Sequence, residues 1–146
     1  MALEPWLGAL PPQNSKTLSV LCGVLGFRML ARPAVLLRIE GGVLFAAAIL
    51  GYWESHASWI LFAVLLLAPD LSFAGYAAGV KMGAAVYNLV HTLTGPLILL
   101  AYGLVAAHFS LLPYAIIWIA HIGMDRMLGF GLKYPTRFSD THLQHV

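Results

Sequence analysis

The chain has 146 residues, of which 60% are hydrophobic and only 10% are charged. A soluble domain carries about 25% charged residues, so this chain has too little charge to cover a water-exposed surface. The net charge of +2 comes from scattered side chains, which gives a nucleic-acid partner no support. Cys22 is the single cysteine, which excludes an internal disulfide and a cysteine metal site. The composition indicates an integral membrane protein.

Residues 1–33 precede the strongest apolar runs. MALEPWLGALPPQNSK contains adjacent prolines and polar residues, and this pattern predicts a mobile arm. TLSVLCGVLGFRML is apolar but too short for a span, which favours an interfacial helix. A cleavable signal peptide is not expected, because FRMLARP is a poor cleavage context.

Four apolar runs follow, each close to the roughly 20 residues that cross a bilayer. They extend from Ala34 to Trp53, from Ser58 to Gly79, from Gly83 to Ala107 and from Leu111 to Phe130. Their apolar residues are continuous rather than alternating, which excludes transmembrane strands. We therefore predict an all-α, polytopic membrane protein. Residues 34–130 form a four-helix transmembrane bundle, preceded by the short interfacial helix and followed by a tail, residues 131–146.

The basic residues alternate between the two sides of this bundle. Four of them precede the first run or lie near its start: Lys16, Arg28, Arg32 and Arg38. Lys81 lies between the second run and the third. The other three lie near the end of the fourth run or after it: Arg126, Lys133 and Arg137. The connection between the first and second runs and the connection between the third and fourth runs contain neither Lys nor Arg. The positive-inside rule then predicts a multi-pass protein of the bacterial inner membrane with both termini cytoplasmic.

Ionisable residues recur inside the apolar runs, where burying a charge costs about 2.5 to 3.5 kcal/mol on insertion scales. The predicted orientation places Glu40, Asp70, His91, His121 and Asp125 in the same, cytoplasmic half of the bilayer. His121 and Asp125, in AHIGMDRMLGF, are one helical turn apart and share a face. Each residue alone has a simpler interpretation: an ion pair with Arg38 or Arg126, a kink after Pro69, or a packed histidine.

Taken together, these side chains favour a metal site. Imidazoles and carboxylates without a thiolate suit zinc, manganese or iron. The predicted metal ligands are His91, His121, Asp125, Asp70, Asp140 and His142. The predicted catalytic residues are Asp70, Asp125 and Lys133, and the predicted accessory residues are Glu40, Arg38, Thr92 and Arg126.

The tail contributes to this set only if it folds back over the cytoplasmic mouth of the bundle. Asp140 and His142 would then complete the coordination shell or hold substrate, and Lys133 would attract an anion. The alternative is a solvated, disordered tail.

Five motifs occur in order: RIEG, APDLSFAGY, YNLVHT, AHIGMDRMLGFGLKYP and FSDTHL. Together they resemble the domain-of-unknown-function family 4260, small bacterial membrane proteins, over residues 32–143. That family has no established activity. A weaker resemblance links Pro69-Asp70, His91-Thr92 and the His121/Asp125 pair to bacterial inner-membrane metal-dependent hydrolases, although DLSFAGY lacks the further Asp and His residues of that family. This resemblance implies a metal-dependent hydrolase.

The first functional hypothesis is a metal-dependent membrane hydrolase that acts on a lipid or an amphipathic small molecule. Two alternatives remain. One is a non-enzymatic carrier of ions, protons or small molecules, and the other is a structural membrane subunit. Gly75, Gly79 and Gly83 recur every four residues, a spacing that allows close helix packing. They predict packing within the bundle, a homo-oligomer, or turns if the helix breaks near Lys81.

Overall fold

The computed structural model describes residues 32–145, so the predicted arm and interfacial helix lie outside the described residues. The α-helices are α1 (Pro33–Glu54), α2 (Trp59–Leu66), α3 (Val80–His91), α4 (Thr94–Val105) and α5 (Leu112–Leu128). A long 3₁₀ segment, Ala68–Ala78, joins α2 to α3. Shorter 3₁₀ turns cover Phe109–Leu111 and His142–Gln144.

These elements form four helical stretches. α1 has 22 residues, α2 with the 3₁₀ segment makes a stretch of 20, and α3 with α4 makes one of 26; all three are long and apolar enough to cross a membrane. α5 is the fourth stretch, with 17 residues and a length of about 25 Å. Over residues 32–145, the predicted all-α, four-helix architecture is confirmed, and three of its four stretches could span a membrane.

α5 is the central helix of the bundle. Ile117, Ile119 and Ala120 on α5 form the apolar core with Tyr52 of α1 and Phe62 of α2. Two glycines let α1 and α5 approach closely: a Cβ on Gly41 would lie 2.6 Å from the Met127 nitrogen, and one on Gly123 would lie 2.7 Å from the Phe45 nitrogen. Small residues commonly permit such contacts between membrane helices.

The outer surface of the bundle carries large apolar side chains. Ile60 is 78% exposed, Leu89 is 74% exposed and Val105 is 89% exposed. An apolar surface of this kind suits contact with lipid chains rather than water. Both histidines of the apolar helical stretches α3–α4 and α5, His91 and His121, are by contrast buried.

The glycines at 75, 79 and 83 do not form one continuous helical face, because the helix breaks between them. Gly79 has a φ of 105° and separates the 3₁₀ segment from α3. Gly75 packs against Val86, and Gly83 packs against the ring of Tyr76. The glycines on either side of the break thus serve contacts within the chain, and a homo-oligomer through them stays a prediction.

Candidate metal centre

Four of the predicted ligands lie together in the interior of the bundle. Asp70, His91, His121 and Asp125 each offer one ligand atom, and these atoms all lie within 4.8 Å of one another. The two histidines are buried, whereas the side chain of Asp70 is 37% exposed and that of Asp125 is 13% exposed. The group could hold a metal ion.

Pro69 explains how the end of α2 and the 3₁₀ segment that follows it contribute to this group. In a continuing helix the Leu66 carbonyl would accept from the N–H of residue 69 or 70. Proline has no N–H, and the Asp70 N–H donates to Leu67 instead, at 3.2 Å. The Leu66 carbonyl is left available, and Nδ1 of His121 lies 2.6 Å from it. The change from α to 3₁₀ geometry therefore both places Asp70 and orients His121.

A second helix break positions His91. It is the last residue of α3, and Thr92 has extended backbone angles before α4 begins. Nδ1 of His91 lies 2.9 Å from the Tyr87 carbonyl, one turn back in the same helix. At the break, the indole of Trp118 donates to the Val90 carbonyl at 2.7 Å. Irregular backbone at membrane depth is tolerated where protein groups satisfy it in this way.

The protonation of the two imidazoles follows from these contacts. A carbonyl oxygen only accepts, so Nδ1 of His91 and of His121 each carry the proton. In the neutral rings both Nε2 atoms are then lone-pair acceptors, yet they lie 3.0 Å apart. Oxygen atoms of Asp70 and Asp125 lie 3.5 to 3.8 Å from these nitrogens. Four acceptor atoms thus converge, and a cation between them would relieve their mutual repulsion.

The distances suit a four-coordinate ion. Metal–ligand bonds of about 2.0 to 2.2 Å in tetrahedral geometry place neighbouring ligand atoms roughly 3.3 to 3.6 Å apart. The five separations that involve a histidine, 3.0 to 3.8 Å, bracket that range, and the carboxylates of Asp70 and Asp125 lie within 4.8 Å of each other. The carbonyl contacts at Nδ1 resemble those that commonly fix the tautomer of a metal-binding histidine.

Tyr87 completes the surroundings of two ligands. Its hydroxyl donates to Oδ2 of Asp125 at 3.2 Å, and its ring stacks on His91 with centroids 3.7 Å apart. Tyr87 is not among the residues predicted from the sequence, although its spacing of four residues from His91 places both on one helical face. Tyr87 therefore orients one carboxylate and one imidazole at the same time.

The C-terminal tail folds back onto the bundle. Lys133 and Thr141 form an isolated antiparallel bridge. The Asn88 side chain accepts from the Lys133 N–H at 2.7 Å and donates to the Lys133 carbonyl at 2.9 Å. Residues 130–132 border a cavity of about 10 Å³ that His91 and Asp125 also line. This volume is close to the minimum for a single water.

Lys133 is buried beside the four-residue group and is not a member of it. Its ammonium lies over the rings of Phe73, Tyr87 and Phe138 and donates to the Phe138 carbonyl at 2.8 Å. Burial lowers the pKa of Lys133, and the nearby carboxylate of Asp125 opposes this effect. The structure thus assigns this lysine aromatic and main-chain contacts, and its catalytic role stays a prediction.

Asp140 and His142 do not join the four ligands. Asp140 accepts from Thr136 and contacts Nε2 of His145 at 2.6 Å. Nδ1 of His142 accepts from the Leu132 N–H at 2.8 Å. Both side chains therefore hold the tail in its fold, and the histidine also lines a second cavity.

None of the predicted accessory residues belongs to the four-residue group. The side chain of Arg38 packs against Gly129 at the end of α5, and the Thr92 hydroxyl donates to the Leu89 carbonyl at 3.4 Å. Glu40 and Arg126 line the second cavity. Arg126 also lines the small cavity next to His91 and Asp125.

The family model described as "Domain of unknown function (DUF4260)" matches residues 34–146. The chain belongs to the DUF4260 family. All four clustered side chains of this DUF4260 protein lie within the matched region. No curated protein and no solved structure matches the chain, and the resemblance to inner-membrane hydrolases stays a prediction.

Proposed function

We propose that this DUF4260 protein is a membrane-embedded, metal-dependent hydrolase in which His91, His121 and Asp125 hold a divalent ion, and Asp70 lies beside the position left open for water. The observation that carries the proposal is the 3.0 Å approach of two Nε2 atoms whose rings both donate from Nδ1 to carbonyls. Neutral imidazoles in this arrangement repel each other unless a cation lies between them. The mixed nitrogen and oxygen donors favour zinc, manganese or iron.

A divalent ion in this position supplies Lewis acidity and activates a water for attack on an ester or phosphoester. Among the four clustered side chains, that of Asp70 is the most exposed. It is the carboxylate best placed to accept the proton of that water as general base. Asp125 is restrained by Tyr87 and serves as the fixed ligand.

The proposed orientation places this site towards the cytoplasmic face of the inner membrane. Within the described residues, Arg32 and Arg38 lie near the start of α1, and Arg126, Lys133 and Arg137 lie near or beyond the end of α5. The connections 55–58 and 106–111 contain neither Lys nor Arg. This distribution supports cytoplasmic termini by the positive-inside rule.

The test is hydrolysis of a panel of ester and phosphoester amphiphiles by detergent-purified protein. We expect activity that a chelator removes and that zinc, manganese or iron restores, and no activity in His121→Ala. His108→Ala is the matched control, because His108 is exposed and lies in the connection before α5. Fully metal-loaded protein that cleaves no member of the panel would overturn the hydrolase and leave a metal-binding protein.

A proton relay is the second candidate, because the same imidazole pair could share a proton instead of a metal ion. A protonated Nε2 of one ring would donate to the other across the 3.0 Å gap. Metal-free protein in vesicles that carries protons, and loses this transport in His121→Ala, would favour the relay over the hydrolase.

A further inference from the structure

A second cavity lies beside the candidate metal centre, with a volume of about 430 Å³. It has four leucines and three polar side chains in its lining: Leu37, Leu44, Leu93, Leu143, Glu40, Arg126 and His142. This combination is typical of sites that bind a molecule with an apolar body and a polar end.

The polar side chains carry complementary functions. Nδ1 of His142 accepts from the Leu132 N–H, so in the neutral ring Nε2 carries the proton and is a donor. Arg126 offers a guanidinium and forms no salt bridge within residues 32–145. Glu40, on α1, is an acceptor in the lining of the same cavity as Arg126 of α5. The two donors suit an anion, and the carboxylate suits an ammonium.

We propose that this cavity binds the head group and first chain carbons of a zwitterionic phospholipid, with phosphate on Arg126 and His142 and ammonium at Glu40. The leucines contact the start of the acyl chain. Binding itself does not need the metal. Arg126 lines both cavities and directly follows Asp125, so the bound phosphate lies next to the proposed hydrolytic site. The assignment of this lipid as the substrate rests on the proposed function, whereas the binding site does not.

Native mass spectrometry of the detergent-purified full chain with monoacyl phosphatidylethanolamine tests the proposal. We expect the wild type to bind one lipid. In Arg126→Gln the affinity should fall to about one tenth of the wild-type value or below, because a charge-assisted hydrogen bond is lost. Arg137→Gln is the matched control: it removes the same charge from an exposed tail residue that does not line the cavity. His142→Asn keeps an acceptor for the Leu132 N–H and removes the Nε2 donor, so it too should weaken binding.

Two further arms identify the ligand. Glycerophosphoethanolamine, which lacks the acyl chain, and inorganic phosphate should bind far more weakly than the lipid; equal binding would overturn an amphiphile site. Leu37→Trp fills the cavity from α1 without changing charge, and it should abolish lipid binding even if Arg126→Gln fails to fold. Undiminished lipid binding in folded Arg126→Gln and Leu37→Trp would overturn the proposal.

Each binding measurement is made on metal-loaded and chelator-treated protein. Lipid binding that persists in protein that never takes up metal would support the cavity and reject the proposed hydrolase. Metal uptake in protein that binds no lipid would reject the cavity and leave the metal centre standing.

Discussion

The Nε2 atoms of His91 and His121 lie 3.0 Å apart, although 30 residues separate the two histidines in the sequence. The 3₁₀ segment that contains Pro69 and the helix break after α3 place the two imidazoles next to each other. Each ring is held from behind by a carbonyl, so neither can rotate without losing a hydrogen bond. Such a rigid pair of acceptors is preorganised for a cation.

Tyr87→Phe should weaken metal binding while the fold is retained. The substitution removes the hydroxyl that donates to Asp125 and keeps the ring that stacks on His91. Loss of a hydrogen bond to a metal ligand typically weakens metal affinity about 10- to 100-fold. Competition with a calibrated chelator measures the change, and Tyr102→Phe, at an exposed position on α4, is the control. Equal affinities in all three proteins would show that the hydroxyl does not act on the ligand.

Gly41→Ala should destabilise the bundle. The new Cβ would meet the main chain of α5, which cannot move aside as a flexible side chain would. Overpacking of this kind costs about 1 to 3 kcal/mol. Gly51→Ala is the matched control on the same helix, because its Cβ would meet only Ile116, at 3.8 Å. Thermal unfolding in detergent should show a lower midpoint for the first variant alone; a similar midpoint for both would contradict the close approach of α1 and α5.

Asn88→Ala should release the tail from α3. It removes both hydrogen bonds to the main chain of Lys133, and an unpaired main-chain group costs about 1 to 3 kcal/mol where it is buried. Hydrogen exchange should become faster at residues 131–142 and stay unchanged in α2. Thr94→Ala, an exposed polar position at the start of α4, is the control. Unchanged exchange in the tail of Asn88→Ala would contradict the docking.

Acid should loosen the tail through Asp140. Hydrogen bonds from Thr136 and His145 hold the pKa of the Asp140 carboxyl below its ordinary value. A carboxyl whose pKa falls on folding stabilises the folded tail above the pKa of the unfolded state, and this stabilisation is lost as pH falls through the lower, folded value. Exchange of the Tyr134 amide, which bonds to the Asp140 carbonyl, should accelerate in that acidic window after correction for the intrinsic rate. Asp140→Asn should remove this pH dependence, and an equal dependence in the variant would assign it to another group.

The sequence predicted the helices and the four clustered side chains for one physical reason. Charged and polar groups are costly inside apolar runs, and Asp70, His91, His121 and Asp125 meet in the interior of the bundle. Asp70 and His91 could therefore be grouped with the His121/Asp125 pair by depth alone. Depth alone does not separate these four from Glu40, which instead lines the neighbouring cavity.

Other features depended on contacts that a sequence does not encode locally. The 3₁₀ segment extends to Ala78, far beyond the kink that Pro69 predicts. The docking of the tail depends on Asn88, 45 residues away from Lys133. The glycine pattern at 75, 79 and 83 drew attention by its regular spacing, whereas the close helix contact is formed by Gly41 and Gly123, which have no shared period.

Metal content, measured by elemental mass spectrometry on detergent-purified protein, tests the central claim most directly. We expect about one zinc, manganese or iron per chain in the wild type, as four-ligand sites hold a single ion. His121→Ala and Asp125→Ala should lose it, and His108→Ala should keep it. Well-folded wild type that holds no metal, even after reconstitution with each ion, would contradict the metal centre.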